Sequence, residues 1–526
     1  MTELTHMHKS LIVLCDYTGV GNDKYFLFNG AVLVEVSCKQ LVEEAAEIIC
    51  HDFWLIAPNI YKKVRQLPPT VVDLDELSVI ISGNKADREL RDSADISKHL
   101  HKFVSRDDLR TYNELVNKSR DYDVDVELNR SVLFNIAQGL LNVYDHLKCI
   151  AIEAGEWSRY EEIEKPIFNY LMRSSMEGIS IDEENLQLHK NSIDFDYYFA
   201  LKNFSSRYKM PLELPSDIDV INYLEPKGFD FDGVDVNYVL NFVPMQDEFA
   251  VDLLHLRKLA SSRKVLASIP KSQRKIFPIV DVFGSITSRI YFKDPSLQNL
   301  AKKHRNIIVA DAGHKLAYVD YAQYEAGIMA ALSGDKVLLN LYATEDLYSV
   351  AAEKIFKDVS KRKVSKRLFL SYAYGMKRKN LISAAIKLGA EKDLVRNFFN
   401  QFSEFEAWKA SIISKFREEN KIGTSLGNYM VRDSGMGFTE KESRSAVSQV
   451  VQGTASLIFK KLLLELSAIQ GFKLIMPMHD AVLFQHARPF DVNLVVETFS
   501  SVMTNHFDGA VNGKAEVADF VIKEIC

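Results

Sequence analysis

The segment KLAYVDYAQYEAGIMAALSGD, residues 315–335, combines the patterns of two secondary-structure elements. Its first seven residues predict a β-strand, and a helix-forming segment follows at once. Asp320 therefore stands at the end of a strand just before a helix, where its carboxylate can hold a hard cation in a cleft. The plainer interpretation of Asp320 is a helix N-cap, a position that aspartate favours.

A second aspartate lies far along the chain in GFKLIMPMHDAVLFQ, residues 471–485. The apolar runs on either side predict two strands, with His479 and Asp480 at a tight turn between them. An aspartate in such a turn is most often only a turn former, so this pattern is weak on its own.

A basic segment, KRKVSKRLFLSYAYG (361–375), lies between the two aspartates. Arg362, Lys366, Leu370 and Tyr374 follow one another at intervals of four, which places them on one face of a helix. Two cations backed by an apolar and an aromatic residue suit a nucleoside triphosphate, because the cations can meet the phosphates while the ring meets the base. As a charge run alone, the segment is more typical of a solvated surface.

A capping box formed by Thr439 and Glu442 predicts a helix that runs to about Ala468. Arg444 and Gln452 lie on one stripe of this helix, from which they can contact the minor-groove edges of base pairs. A polar helix face is the alternative explanation.

The overall composition limits the class of protein, but it does not by itself indicate a DNA-binding protein. A chain of 526 residues predicts two or three domains, and its net charge of −6 requires any nucleic-acid surface to be locally basic. Five scattered cysteines without a C-x-x-C pair indicate reduced thiols and no structural zinc. No signal peptide and no run of about 20 apolar residues is present, so we expect a soluble cytoplasmic protein with no membrane partner.

Taken in order, these segments resemble the motifs of the family A DNA polymerases, the family of bacterial polymerase I and of many phage replicases. DYAQYE (320–325) looks like motif A, the pattern from Arg362 to Gly375 matches motif B, and MHD (478–480) matches motif C. Three further segments are similar to supporting motifs of the family: TSRIYFKDPSLQN (287–299), GTSLG (423–427) and SRSAVSQVVQGT (443–454). The resemblance covers roughly residues 156–526.

The resemblance implies a two-metal mechanism. Asp320, Asp480 and the main-chain carbonyl of Tyr321 would hold two Mg²⁺ ions, with Mn²⁺ as a substitute, and Lys366 would serve as a catalytic residue on the triphosphate. Glu325 is expected to fill the space that a ribose 2′-hydroxyl needs. The implied substrate contacts are Arg362, Tyr374, Glu325, Leu370, Gln323, Lys303 and Tyr348. The implied DNA contacts are Arg289, Gln298, Asn299, Arg444, Gln452 and His479.

The chain also departs from the family pattern. Leu370 stands in place of an aromatic residue, Ala481 in place of a glutamate, Asn428 and Lys303 in place of arginines, and Tyr348 in place of a histidine. These departures indicate a divergent member of phage or viral type.

The implied fold class is an α/β RNase H-like domain followed by an α+β right-hand polymerase domain. The second domain, 156–526, divides into a thumb (about 190–275), a palm (about 276–345 and 425–526) and fingers (about 346–424).

The first domain, residues 1–155, resembles a 3′–5′ exonuclease that has lost its carboxylates. Thr18 stands where a glutamate should follow Asp16, lysines replace the aspartate of LIAPNIYKKV (55–64), and Phe134 and Gln138 replace a Tyr and an Asp. We therefore predict a degenerate domain without nuclease activity, although a different alignment could revive Asp73 and Asp75.

The function implied by the resemblance is template-directed DNA synthesis for replication, without proofreading. The expected partners are primer–template DNA, dNTPs and a replisome or processivity protein, and the expected state is a monomer. Two rivals stay open: a phage-type single-subunit RNA polymerase, and an inactive scaffold that only binds primer–template. Glu325 and the QGT helix favour DNA synthesis over the first, and the intact aspartates and the Arg362/Lys366 pair argue against the second.

Overall fold

The computed structural model describes residues 8–15, 23–83, 97–119, 126–228, 247–432 and 437–522, together with Val236 and Leu240. Asp16 and Thr18, the positions of the first exonuclease motif, lie outside these residues. Within the described ranges, every helix is too short or too polar to cross a membrane.

The N-terminal part is built on a five-stranded sheet with the order β3–β2–β1–β4–β5. The strands are β1 Lys9–Leu14, β2 Lys24–Phe28, β3 Leu33–Val36, β4 Ile48–Cys50 and β5 Val71–Asp73. The first three pair antiparallel, whereas β4 and β5 run parallel to β1. Its helices are α1 Cys38–Val42, α2 Phe53–Val64, α3 Leu74–Ser82, α4 Ser97–Leu100, α5 Arg106–Ser119 and α6 Arg130–Ala154.

One sequence prediction in this region is wrong in part. The sequence CKQLVEEAAEII (38–49) has a helical pattern, but the helix ends at Val42, and Ile48–Cys50 instead forms a fully buried strand between β1 and β5. Pairing with strands distant in sequence overrides the local helical pattern there. The amphipathic pattern of residues 131–147 also predicts a helix, which the structure confirms; this helix extends to Ala154, where Gly155 at φ +78° ends it.

A continuous helical rod leads from the N-terminal part into the rest of the chain. It consists of α7 Trp157–Arg159, a π-helical turn over Tyr160–Glu164, and α8 Lys165–Glu177. Two long helices and a short one follow: α9 Glu183–Tyr208, α10 Asp217–Leu224 and α11 Glu248–Ser268. Short strand pairs accompany them: β6 Ile179–Ser180 with β7 Lys275–Ile276, and β8 Ile279–Asp281 with β9 Tyr291–Asp294.

A four-stranded antiparallel sheet with the order β13–β14–β10–β15 carries the candidate site. Its strands are β10 Lys315–Tyr321, β13 Lys473–Pro477, β14 Ala481–His486 and β15 Ala515–Val517. A separate hairpin joins β11 Lys421–Thr424 to β12 Gly427–Val431. The helices around them are α12 Tyr324–Ser333, α13 Lys336–Thr344, α14 Leu347–Phe356, α15 Arg362–Ala373, α16 Arg378–Lys387, α17 Lys392–Asn400, α18 Ser403–Glu419, α19 Glu440–Ser467 and α20 Val492–His506.

The hydrophobic core crosses the boundary predicted near residue 155. One face of the N-terminal sheet packs under α6 as a core of its own. The other face belongs to the same cluster of buried side chains as the four-stranded sheet, with Trp54 of α2 meeting Phe168 of α8 at a ring-centroid distance of 6.4 Å. The N-terminal part is therefore packed onto the rest of the molecule through a shared core.

Candidate active site

The two aspartates from distant segments meet on neighbouring strands. Asp320 on β10 lies directly opposite Ala481, the residue after Asp480. The turn is closed by the Met478 N–H, which donates to the Ala481 carbonyl at 2.7 Å, as the strand–turn–strand prediction requires. The Tyr321 N–H then donates to the Asp480 carbonyl at 3.0 Å. The N-cap of the following helix α12 is Gln323, so the N-cap interpretation of Asp320 is wrong.

The environment of Asp320 favours a bound cation. Its Oδ1 atom is buried and has no hydrogen-bond partner. Burial first, and the charge of Asp480 second, raise the pKa of Asp320 to about 7, although Lys366 acts in the opposite direction. A half-buried carboxylate pair with an unused oxygen fits Mg²⁺ or Mn²⁺, which prefer oxygen ligands. Among the described residues, no group of three or more His, Cys, Asp or Glu side chains is placed to hold a metal.

Helix α15 presents its cations to this carboxylate pair. Lys366 is exposed and close enough to Asp320 to lower its pKa. The Lys366 Nζ and the Arg362 Cζ lie 5.5 and 5.6 Å from the centre of the Tyr348 ring. Arg362 also donates to both carboxylate oxygens of Asp346, at 3.0 and 2.6 Å. The structure thus brings together the predicted triphosphate contacts Arg362, Lys366 and Tyr348.

Glu325, the residue expected to exclude a 2′-hydroxyl, has Arg289 and Tyr374 as neighbours. Glu325 on the first turn of α12 accepts a hydrogen bond from Arg289 at 3.0 Å. Tyr374 caps the end of α15, and burial followed by the charge of Glu325 raises the pKa of its hydroxyl. Gln452 of α19 interacts with the same hydroxyl.

Three other predicted substrate contacts are placed differently. Leu370 is half-buried against the hydrophobic core. Gln323 accepts from the Leu347 N–H at 2.9 Å and so ties β10 to the start of α14. Lys303 has Asp196 of α9 as its ion-pair partner, at 4.0 Å, while its neighbour Lys302 adds to the effect of Lys366 in lowering the pKa of Asp320.

The predicted DNA contacts differ in their exposure and in their partners. Arg444 packs on Gly375, where an added Cβ would lie 3.2 Å from the Arg444 Cγ, and Asn299 and His479 are exposed. Gln298 is buried. Its side-chain oxygen accepts from the Phe292 N–H, and its side-chain nitrogen donates to the carbonyls of Ile290 and Pro477. The expectation of a direct Gln298 contact to DNA is corrected accordingly, because its hydrogen-bonding capacity supports the β13–β14 hairpin from inside.

Sequence reasoning missed residues that only the fold brings to the site. Glu516 of β15 stands directly opposite Asp320, and its charge reaches both Asp320 and Arg362. Asp346 holds Arg362 and also caps α14. The basic run at 302–305 was a signal for Lys302, but Glu516 lies in a short C-terminal strand with no distinguishing pattern.

Comparison with known sequences decides the family. Residues 237–518, more than half of the chain, match the family model of DNA polymerase family A. The chain belongs to DNA polymerase family A. This family A chain is 24% identical over 374 residues to DNA polymerase I of Chloroflexus aurantiacus, which covers 62% of the chain and 38% of that relative. It is 23% identical over 411 residues to DNA polymerase I of Treponema pallidum, covering 71% and 41%. It therefore spans about two-fifths of the length of these relatives.

A solved structure shows the same fold over nearly the whole length of the family A chain. The POL domain of Pol1 from M. smegmatis, in complex with DNA primer-template and dNTP, matches with a TM-score of 0.71 and 17% identity. The match covers 97% of the family A chain and 94% of the other, so it includes the N-terminal sheet as well as the strands that carry the aspartates.

Proposed function

We propose that the chain is a DNA-directed DNA polymerase that adds dNTPs to a primer 3′-hydroxyl during replication. The observation that carries the proposal is that Asp320 and Asp480 lie close together at the ends of neighbouring strands, within reach of the charge of Lys366 on α15. A carboxylate pair with an unused buried oxygen and a facing Lys/Arg helix suits nucleotidyl transfer, which depends on positioning and on charge stabilisation.

The proposed domains follow from this assignment. The sheet β13–β14–β10–β15 would be the palm, helices α14 to α18 the fingers, and α9 to α11 the thumb. Divalent ions held by Asp320, Asp480 and the Tyr321 carbonyl would supply Lewis-acid chemistry, activating the primer hydroxyl and stabilising the leaving pyrophosphate.

The side chains of the chain itself would bind and orient the nucleotide. Lys366 and Arg362 would neutralise the triphosphate, and Lys366 would give a proton to the departing pyrophosphate. Arg362 would exchange its carboxylate partner Asp346 for phosphate oxygens as the nucleotide enters. Glu325, fixed by Arg289 and bordered by Tyr374, would leave no room for a 2′-hydroxyl.

We further propose that the N-terminal part is a degenerate exonuclease-like domain without proofreading activity. Its mixed sheet order, with three antiparallel strands followed by two parallel ones, supports an RNase H-like fold. Asp73 and Asp75, the two acids that could have revived the site, have local partners throughout. The departures at Leu370, Ala481 and Tyr348 support a divergent, phage-type member of the family.

The test is primer extension with Mg²⁺, comparing dNTPs with rNTPs on DNA and on RNA templates. The proposal expects efficient extension with dNTPs on a DNA template. Preferential use of rNTPs would establish the RNA polymerase rival, and tight primer–template binding without extension under any combination would establish the inactive scaffold.

A further inference from the structure

A buried ionic cluster lies where the N-terminal domain, the helical rod and α19 meet. The Arg159 guanidinium donates to Glu156 at 2.8 Å and also to Glu164, and the Lys460 ammonium donates to Glu164 at 2.5 Å. The side chains of Arg159, Glu164 and Lys460 are 0% exposed. Burial opposes ionisation of Glu164, but Lys460 and Arg159 outweigh it and hold its pKa below the usual value.

The cluster reaches the predicted primer contact Arg289 through Ser288. The Ser288 hydroxyl donates to Glu164 at 3.0 Å and accepts from Lys460. Ser288 has a left-handed backbone, φ +61°, which a non-glycine residue adopts at a cost, and the buried hydrogen bonds hold it there. Its neighbour Arg289 forms the ion pair with Glu325, so the cluster fixes the backbone from which Arg289 extends.

The cluster also reaches the β11–β12 hairpin, which resembles a family motif ahead of the template-binding helix. Glu156 accepts the N–H groups of Asn428 and Tyr429, each at 2.9 Å. The Asn428 carbonyl in turn accepts from Gln449 of α19 at 2.7 Å. The Glu156 carboxylate thus fixes the position of the β11–β12 hairpin relative to α19, the helix that carries Arg444 and Gln452.

The N-terminal domain forms the other side of this cluster. Arg159 donates to the Ile80 carbonyl of α3 at 2.8 Å. Gly83, at the end of the same helix, approaches the hairpin so closely that an added Cβ would lie 2.1 Å from the Tyr429 carbonyl oxygen. The Arg159 guanidinium therefore contacts both the N-terminal domain and the helical rod directly. It reaches the hairpin indirectly, through Glu156.

We propose that the N-terminal domain is a positioning element of the primer–template surface, and that Arg159 is the residue through which it acts. This inference rests on the proposed polymerase function. A fully buried charge network has few alternative arrangements, so its loss leaves carboxylates without counter-charges and moves the segments that they hold. The ligand of the affected surface is duplex DNA with a recessed 3′ end.

The test compares Arg159→Met with Lys165→Met. Lys165 is also buried on the rod and also joins it to the N-terminal domain, through Glu47 at 2.6 Å, but its other partner is Glu161 rather than the cluster. Arg159→Met should weaken binding of a fluorescent primer–template at least about tenfold, whereas Lys165→Met should change it by less than about twofold. At saturating DNA, kcat should stay near wild type in both variants, because neither substitution touches Asp320, Asp480 or Lys366.

A second pair keeps the inference testable if Arg159→Met does not fold. Gly83→Ala and Gly30→Ala both place a side chain at a positive φ in the N-terminal domain, but only the first meets the hairpin. Gly83→Ala should lose primer–template affinity and Gly30→Ala should not. Equal affinities for Gly83→Ala and wild type, or equal losses in Arg159→Met and Lys165→Met, would overturn the inference. Failure of the wild type to extend any primer would instead overturn the proposed function.

Discussion

Two aspartate pairs in this molecule, one half-buried and one buried, each contain one acid with a raised pKa, but they differ in their surroundings. In the palm, burial and the charge of Asp480 raise the pKa of Asp320 to about 7. In the N-terminal domain, burial and the charge of Asp75 raise the pKa of Asp73 to about 7 as well. A raised pKa therefore does not tell the two pairs apart.

The hydrogen-bond partners do tell them apart. Asp73 caps α3 and accepts from the Phe53 N–H at 2.6 Å. Asp75 binds His51 and His99, each at 2.9 Å, and Lys98. Burial opposes ionisation of Asp75, but the two histidines outweigh it and hold its pKa well below the usual range.

In the part of the chain that the structure describes, the Asp320 carboxylate has one oxygen without such a partner. Asp320 has a buried oxygen with no partner at all, and its strand neighbours are Ala481 and another acid, Glu516. Buried polar groups are normally satisfied within a protein, so an orphaned carboxylate oxygen indicates a ligand from outside. On the proposed function, unused hydrogen-bonding capacity distinguishes the catalytic pair from the structural one.

The largest effect should come from the palm pair. Asp320→Asn and Asp480→Asn should each reduce nucleotide addition by about 1,000-fold or more, the scale of losing a preorganised charge-stabilising group. Primer–template affinity should stay close to wild type, because it depends mainly on Lys and Arg contacts with phosphates. Single-turnover extension and an anisotropy titration on the same preparation measure both. Retained extension in either variant would remove the assignment.

The N-terminal pair should show the reverse pattern, with a large effect on stability. Asp75→Ala leaves Lys98 and two histidines without their carboxylate, so the free energy of unfolding should fall by about 3 kcal/mol. Urea denaturation measures the loss, and Asp107→Ala, which removes an exposed surface pair with Arg110, is the control with little change. Extension per folded molecule should be preserved. An Asp75→Ala protein of normal stability that no longer extends primers would reverse the comparison.

The sugar pocket should respond more modestly. Glu325→Ala should raise the rNTP-to-dNTP ratio of kcat/KM by at least about tenfold, or about 1.4 kcal/mol of lost discrimination. Glu325→Gln keeps the volume and should keep most of the selectivity. An active alanine variant with wild-type selectivity would show that Glu325 is not the gate and would strengthen the RNA polymerase rival.

The smallest effect concerns the fold without metal. The pKa of Asp320 is raised in the folded state, so its ionisation costs stability as the pH rises from about 4 to above 7. In EDTA at pH 8, Asp480→Asn should therefore be more stable than wild type by about 1 kcal/mol, the value of roughly one pKa unit. At pH 5 the difference should vanish, because Asp320 is then protonated.

The control for this pH dependence has the opposite sign. Asp311 is satisfied by Ser180, Gln485 and Lys473, which hold its pKa below the usual range. Asp311→Asn should thus destabilise the protein at pH 8. A stabilising Asp311→Asn or a destabilising Asp480→Asn in thermal unfolding would contradict the comparison.

Features set by local sequence patterns were predictable from the sequence, whereas features formed by contacts between distant segments were not. The strand 315–321, the turn at His479 and Asp480, and the helix opened by Thr439 and Glu442 all agree with the structure, because short-range patterns set them. The strand Ile48–Cys50 was mistaken for helix because its partners lie elsewhere in the chain. The contacts of Glu516 and of the Arg159 cluster join residues that lie far apart in the sequence, so no local motif predicts these contacts.

The most direct test of the comparison gives the wild-type protein a primer with a mismatched 3′ end. Mg²⁺ alone should leave the primer at its original length, because the N-terminal aspartates are committed to internal partners. Addition of dNTPs should then lengthen it through the palm pair. Metal-dependent shortening of the primer that persists in Asp320→Asn would contradict the account, because it would show that the N-terminal carboxylates support nuclease activity.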